Sequence, residues 1–162
     1  MHNDALISLE EHMQWFSSFR ENPSREFWVL HQNDKPIGVL NFNDIDKPKM
    51  EWGCYLGETS VWPGSGILLE VAALDRAVEL QPDGVLAAEV LSFNKSAIGL
   101  HRLFEYPKVG SFDGGVRNEE TYCKLYYEYP LTLWKQKRAS VLSKLPKSLG
   151  KLAETIEFRE KV

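Results

Sequence analysis

Apolar residues change their spacing several times along the chain, and each change marks an element. Met13, Trp15, Phe16 and Phe19 fall on one helical face behind Ser8-Leu9-Glu10-Glu11, where a serine and a glutamate three residues apart have capping-box spacing. This predicts a helix of about three turns ending near Pro23. Phe27 to Leu30 and Ile37 to Phe42 read as two strands of a hairpin, because Asn33-Asp34 between them suits a tight turn. A third strand is expected over Glu51 to Leu56. From Ile67 to Leu80 the apolar positions Leu68, Val71, Ala72, Leu74, Ala77 and Val78 return to helical spacing, and Pro82-Asp83-Gly84 ends that helix. Val85 to Leu91 then reads as a short apolar strand and Ser96 to Phe104 as a second short helix.

Past Pro107 the pattern weakens to a strand around Val109, a turn at Asp113-Gly114-Gly115 and a last strand over Thr121 to Tyr129. Beyond Leu131, Pro146 and Gly150 interrupt any single long helix, so two helical, partly ordered pieces are expected. The organisation predicted is a body over residues 1–130 and a basic helical extension over 131–162. The fold class is α/β, with a mixed, largely antiparallel central sheet flanked by helices. There is no internal repeat and no low-complexity tract.

A chain of 162 residues with 43% hydrophobic content can bury one good core, which excludes disorder and two substantial domains. A formal net charge of −4 argues against a general nucleic-acid binder. The charge is uneven: residues 1–100 hold 7 Lys/Arg and 15 Asp/Glu, a balance of −8, while residues 101–162 hold 12 and 8, a balance of +4. A basic tail of this kind is most simply a solvated one, with steering of an anionic substrate or a membrane surface as the sharper alternative. Cys54 and Cys123 are too few for a disulfide framework, and no Cys or His spacing suits a metal, so a reducing, cytoplasmic setting without a metal site is expected. Acids stand near the N-terminus where a signal peptide needs bases, and no apolar run approaches the roughly 20 residues of a membrane span.

Candidate chemistry gathers at two places. Gly64-Ser65-Gly66 opens the helix that begins near Ile67, and small residues there let backbone N–H groups converge on a phosphate in the field of a helix N-terminus. Neither a P-loop nor a Rossmann spacing is present, and a ligand-free strand-to-helix turn has the same composition. The second place is Asn94 to His101. Asn94 can cap the following helix, and His101, two turns on, could exchange a proton near neutral pH, although a half-buried structural histidine fits the same pattern. Glu51 and Glu89 lie in predicted strands and could remove an amine proton directly or through water, or face solvent, or pair with bases. Trp15, Phe19, Trp28, Trp52, Tyr55 and Trp62 are core or cavity lining, and Cys54 is expected to be buried as a small hydrophobe. Tyr122, Tyr126, Tyr127 and Tyr129 suit a sheet face or the interface of a homo-oligomer.

Taken together, Glu51 to Tyr55, Val61 to Gly66 and Asn94 to Phe104 resemble the core of the GNAT superfamily of acetyl-coenzyme A-dependent N-acetyltransferases, over roughly residues 5–129. The resemblance implies acetyl-CoA as cofactor, its pyrophosphate on Val61, Trp62, Gly64, Ser65 and Gly66, and its pantetheine arm beside Asn94 and Ala97. It also implies a backbone N–H in the Leu91 strand polarising the thioester carbonyl. Val61 stands where the family has Gln or Arg, His101 where it has a tyrosine that protonates the departing thiolate, and Glu105-Tyr106 where it has Gly-Phe.

Ser8 to His12, Lys35 to Phe42, Glu51 to Gly53 and Ala88 to Leu91 further resemble the pseudaminic acid biosynthesis N-acetyltransferases, which acetylate the 4-amino group of a UDP-linked deoxy-amino sugar for flagellin glycosylation. The acceptor so implied is a UDP-amino sugar, with His101, Glu51 and Glu89 as the catalytic groups. Relatives with this core also acetylate protein N-termini and small amines, and an inactive coenzyme A-binding or structural partner is the reading from another class. The strand and helix that usually precede the segment matching residues 8–20 have no counterpart here. The expected sheet therefore lacks its usual first strand, or the C-terminal extension covers the edge.

Overall fold

A computed structural model describes residues 7–159. Eleven elements follow in the order α1 (Leu9–Arg20), β1 (Arg25–Gln32), β2 (Lys35–Asn43), β3 (Lys49–Leu56), α2 (Ser65–Leu80), β4 (Val85–Leu91), α3 (Lys95–Leu103), β5 (Lys108–Arg117), β6 (Glu120–Pro130), α4 (Leu131–Lys144) and α5 (Lys147–Ala153). The capping box is formed: Ser8 Oγ accepts from the Glu11 amide at 3.2 Å, and Glu11 Oε2 accepts from the Ser8 amide at 2.8 Å. Such an N-cap is worth about 1 kcal/mol to the helix. Asn33 and Asp34 both take positive φ, 49° and 63°, as the β1–β2 hairpin requires.

The described strands make one six-stranded sheet in the order β1-β2-β3-β4-β6-β5. All neighbours are antiparallel except β3 and β4. That parallel pair holds together over three residue pairs only, Lys49 with Val85, Met50 with Leu86 and Glu51 with Ala87. Beyond them the strands part, and the sheet opens into a wedge between Trp52–Leu56 and Ala88–Leu91. Cys54 is consequently exposed rather than buried, since β3 has left its neighbour by that residue.

Helix α2 is buried at every position from Leu68 to Leu74. A helix apolar on all sides needs cover on all sides. The sheet covers one flank, and α4 and α5 cover another. The segment after Leu131 is therefore no solvated tail. Leu131 and Trp134 are 0% and 1% exposed, and burial of side chains this size stabilises by roughly 2 to 3 kcal/mol each. Its bases meet the acids of the body. Arg138 binds Asp75 through Nε at 2.8 Å and Nη2 at 3.0 Å, and Glu154 through Nη1 at 2.9 Å. Lys137 and Lys144 converge on Glu105, and Lys135 lies 3.5 Å from Asp83. The charge asymmetry of the sequence is thus partly an internal complementarity. Farther on, Phe158 packs edge-on against Trp28 of β1, with ring centroids 4.9 Å apart.

The turn expected at Asp113-Gly114-Gly115 is instead a bulge inside β5. The register shifts between Asp113 and Gly115, Gly115 takes φ +99°, and its amide donates to Asp113 Oδ1 at 2.9 Å. The hairpin turns at Asn118 and Glu119, with φ 51° and 66°. Asx chemistry and glycine at 113–115 mimic a turn signal, yet they serve here to admit an extra residue opposite β6.

Candidate active site

The wedge brings four segments together. The direction in which the amides of its β4 edge point follows from two hydrogen bonds. The Val85 amide donates across to Pro48 on the β3 side, whereas the Ser92 amide donates to Cys123 on the β6 side. Amides alternate along a strand, so those of Glu89 and Leu91 point with Val85, into the opening. The Leu91 N–H is thus a fixed backbone donor at the wedge.

The loop from Val61 to Gly66 leads from β3 into α2. Gly64 adopts φ +91°, and a Cβ there would lie 2.6 Å from Leu149 of α5, so glycine is demanded by backbone and packing alike. Ser65 is buried and donates to the Trp62 carbonyl at 2.7 Å, while its amide donates to the same carbonyl. Gln32, at the end of β1, braces the loop with both ends of its amide, accepting from the Trp62 N–H at 3.1 Å and donating to Ser65 Oγ. Sequence reading missed this residue, because nothing in a strand-end glutamine marks a partner thirty positions away. The Leu68 amide donates to Gly64, which leaves the Gly66 and Ile67 amides at the head of α2. Val61 is half-buried and Trp62 exposed.

Asn94 caps α3 through Oδ1, which accepts from the Ala97 amide at 3.1 Å. Its side-chain NH2 remains for a ligand. One helical face farther, His101 is 4% exposed. It stacks on Tyr106 at 4.3 Å, meets Tyr127 edge-on at 4.7 Å and has Trp52 at 6.2 Å. Its Nε2 lies 4.0 Å from Oε1 of Glu70, a 2% exposed acid on α2. Burial lowers the His101 pKa to about 4 and raises that of Glu70 to about 8. The Tyr106 hydroxyl approaches Glu70 and opposes that rise without the geometry of a formed hydrogen bond. Glu70 Oε1, His101 Nδ1, Trp52 Nε1 and the hydroxyls of Tyr106 and Tyr129 are all buried without a hydrogen-bond partner. So many orphaned polar atoms in one place mark an unusual core. Glu70 was legible in principle as the one acid in an apolar helical run, Ile67 to Leu74.

Glu51 and Glu89 stand on the other face of the sheet. Glu51 pairs across with Ala87, two residues before Glu89, so both side chains alternate away from the buried Met50, Leu86, Ala88 and Val90. Glu51 is exposed. Glu89 faces Lys124 at 3.6 Å and its cross-strand neighbour Tyr126, whose hydroxyl it holds protonated by hydrogen bonding, raising the tyrosine pKa. The groups named from the sequence therefore divide: His101 lies on the helical side of the wedge, the two glutamates on the open side, and Leu91 on its rim. A separate groove between α2 and α4, lined by Asp75, Trp134, Arg138 and Phe158, lies away from the wedge, and its polar groups engage one another. Among the described residues no cluster of His, Cys, Asp and Glu could hold a metal ion, and no helix is long and apolar enough to cross a membrane.

The fold is the GNAT-type fold of N-acetyltransferases. An N-acetyltransferase from Staphylococcus aureus Mu50 superposes with a TM-score of 0.70 at 18% identity, covering 82% of each chain. The protein yncA from Salmonella typhimurium, solved with its cofactor acetyl-CoA, superposes with a TM-score of 0.67 at 18% identity over 81% of this chain and 78% of its own. A spermidine N-acetyltransferase and a ribosomal-protein-alanine N-acetyltransferase also share the fold. In sequence, the chain is 25% identical to acetyltransferase PseH of Campylobacter jejuni over 96 residues, which is 59% of this chain and 60% of that relative. No family model matches the sequence.

Proposed function

We propose that the protein is an acetyl-CoA-dependent N-acetyltransferase. One observation carries the reading: a parallel strand pair that parts after three residue pairs and turns the Leu91 amide into the gap, beside a helix head with free amides. The residues fit acetyl-CoA. Gly66 and Ile67 offer N–H groups to its pyrophosphate, the Asn94 amide faces its pantetheine arm, and the small Ala97 leaves room for it. Val61 adds no polar side chain to that set. The Leu91 N–H donates to the thioester oxygen as negative charge grows there. Glu51, or water held by Glu89, accepts the proton of the attacking amine, and His101 protonates the departing sulfur. Transfer is direct, without an acyl-enzyme.

The acceptor we infer is the 4-amino group of a UDP-linked deoxy-amino sugar. The segments Lys35–Phe42, Glu51–Gly53 and Ala88–Leu91 support it through their resemblance to enzymes of that specificity. A small cationic amine is the second reading, and the open face favours it. Lys49 and Lys124 there lie 2.6 Å and 3.6 Å from Glu128 and Glu89, which leaves little positive charge for a diphosphate.

The test is release of free thiol from acetyl-CoA with a UDP-4-amino-4,6-dideoxy sugar, spermidine and an N-terminal peptide, corrected for hydrolysis without acceptor. Preferential turnover of the sugar supports the first reading, and preference for spermidine the second. Acetyl-CoA binding without turnover of any amine makes the protein a binding module and ends the enzyme reading.

A further inference from the structure

Resting on the acetyl-transfer reading, we infer that Glu70 is the proton store for His101, a positioning residue that acts through the imidazole and never touches substrate. His101 is buried among Tyr106, Tyr127 and Trp52, and burial disfavours its imidazolium, so a free-standing charged histidine is not available to protonate a thiolate at neutral pH. The carboxyl of Glu70 lies 4.0 Å from its Nε2, an ion-pair distance longer than a hydrogen bond, and Nδ1 on the other side of the ring is buried with no partner in the protein.

Carboxylic acid with neutral imidazole, and carboxylate with imidazolium, contain the same single proton. Whichever arrangement prevails, the pair has one proton to give. The groups around it add no competing charge: β3 supplies Trp52 and Cys54, whose thiol is pushed up to about 12, β6 supplies the ring edge of Tyr127, and burial holds the hydroxyls of Tyr106, after α3, and Tyr129 protonated.

The step balances without any further reactant. As the amine nitrogen bonds to the acetyl carbon and the C–S bond breaks, the electron pair leaves on sulfur. Nδ1–H of His101 delivers its proton to that sulfur, and Nε2 takes the proton of the Glu70 carboxyl as the two close from 4.0 Å to hydrogen-bond distance. The imidazole ends neutral in its other tautomer and Glu70 as carboxylate; once the thiol departs, water protonates Nδ1 while Nε2 returns its proton to Glu70, which restores both the tautomer and the acid. Trp52 is the first β3 residue beyond the last β3–β4 pair, which sets this cluster beneath the fork of the wedge.

The experiment measures kcat, KM for acetyl-CoA and the pH dependence of kcat for the native protein, Glu70→Gln and Glu70→Met, with thermal melting to show that each variant folds. We expect kcat to fall at least about tenfold in both variants. KM for acetyl-CoA should stay within about threefold, because nothing that binds the cofactor has changed. The native kcat should decline on the alkaline side as the pair loses its proton, and the variants should lack that limb. A kcat within twofold of native, with the alkaline limb intact, overturns the proposal. Equal losses in kcat and in cofactor affinity also overturn it, by showing a structural role. If the native protein itself releases no thiol with any amine, acetyl transfer fails, and the relay with it; failure of the relay alone leaves native turnover unimpaired.

Discussion

Replacing Glu70 by glutamine also changes a property that needs no substrate, because the Glu70–His101 pair links folding to pH. In the unfolded chain the carboxyl ionises near 4.5 and the imidazole near 6.5, whereas burial moves them to about 8 and about 4 in the folded protein. Between pH 4.5 and 6.5 the unfolded pair holds one proton, on histidine, and the folded pair also holds one. These groups then leave stability independent of pH. Above 6.5 the unfolded pair is empty while the folded pair keeps its proton until about 8, so stability falls by about 1.4 kcal/mol per pH unit, about 2 kcal/mol in all.

In Glu70→Gln only the histidine remains. Its folded pKa is depressed, so stability rises between pH 4 and 6.5 and is level above. Subtracting variant from native isolates the glutamate. That difference should fall steadily from pH 4.5 to 8, by about 5 kcal/mol as an upper figure. Urea unfolding followed by tryptophan fluorescence at pH 5, 6.5 and 8 reads it directly, with buried Trp134 as reporter. A difference that stays constant within about 1 kcal/mol, or that rises with pH, would refute a protonated buried carboxyl, since raising its pKa by a single pH unit is already worth about 1.4 kcal/mol.

Two further substitutions separate ligand binding from packing. Gly64→Ala puts a Cβ 2.6 Å from Leu149 at φ +91° and should cost about 2 kcal/mol of stability, whatever the loop binds. Gly66→Ala meets Leu100 at an ordinary 3.5 Å, so its melting temperature should hold while affinity for acetyl-CoA, by calorimetry, drops several-fold; unaltered affinity rejects the amide site. Asp75→Ala strips the acceptor from Trp134 Nε1, 2.7 Å away, and from the forked Arg138, and should cost about 3 kcal/mol in urea unfolding. A loss below about 0.5 kcal/mol would mean that α4 docks by apolar contact alone.

Much of the fold was legible because local signals agreed with tertiary need. The Ser8–Glu11 box, the Asn33-Asp34 turn and the run Val85–Leu91 each encode their element within a few residues, and the structure forms all three. Segment 113–115 misled because a bulge and a turn ask for the same residues. The extension misled for another reason. Helix α4 has little amphipathic pattern of its own, and its partners Asp75, Asp83 and Glu105 lie far back in the chain.

At the site, spacing pointed to the glycine loop, Asn94 and His101, but could not show which side of the sheet each residue occupies. That depends on register. Nor could spacing pair Glu70 with His101, since their meeting depends on how α3 crosses α2. A lone acid within Ile67–Leu74 was the available signal.

Division of the site by the sheet yields a last expectation for the acetyl-transfer reading. Among the described strands, β3 and β4 are the neighbours that part, and the wedge they leave connects the two faces of the sheet. The amine gives up its proton on the open face, toward Glu51 or Glu89, while the sulfur gains one on the helical face, from the Glu70–His101 pair. The two groups lie on opposite faces of the sheet, so Glu51 or Glu89 releases its proton to water on the open face while the Glu70–His101 pair regains one from water on its own side. Glu51→Gln and Glu70→Gln should therefore combine additively in ln(kcat), with an interaction energy under about 0.5 kcal/mol in a double-mutant cycle. An interaction above about 1 kcal/mol would show one proton passing between the faces through the wedge, and the separation of the two stores would have to be abandoned.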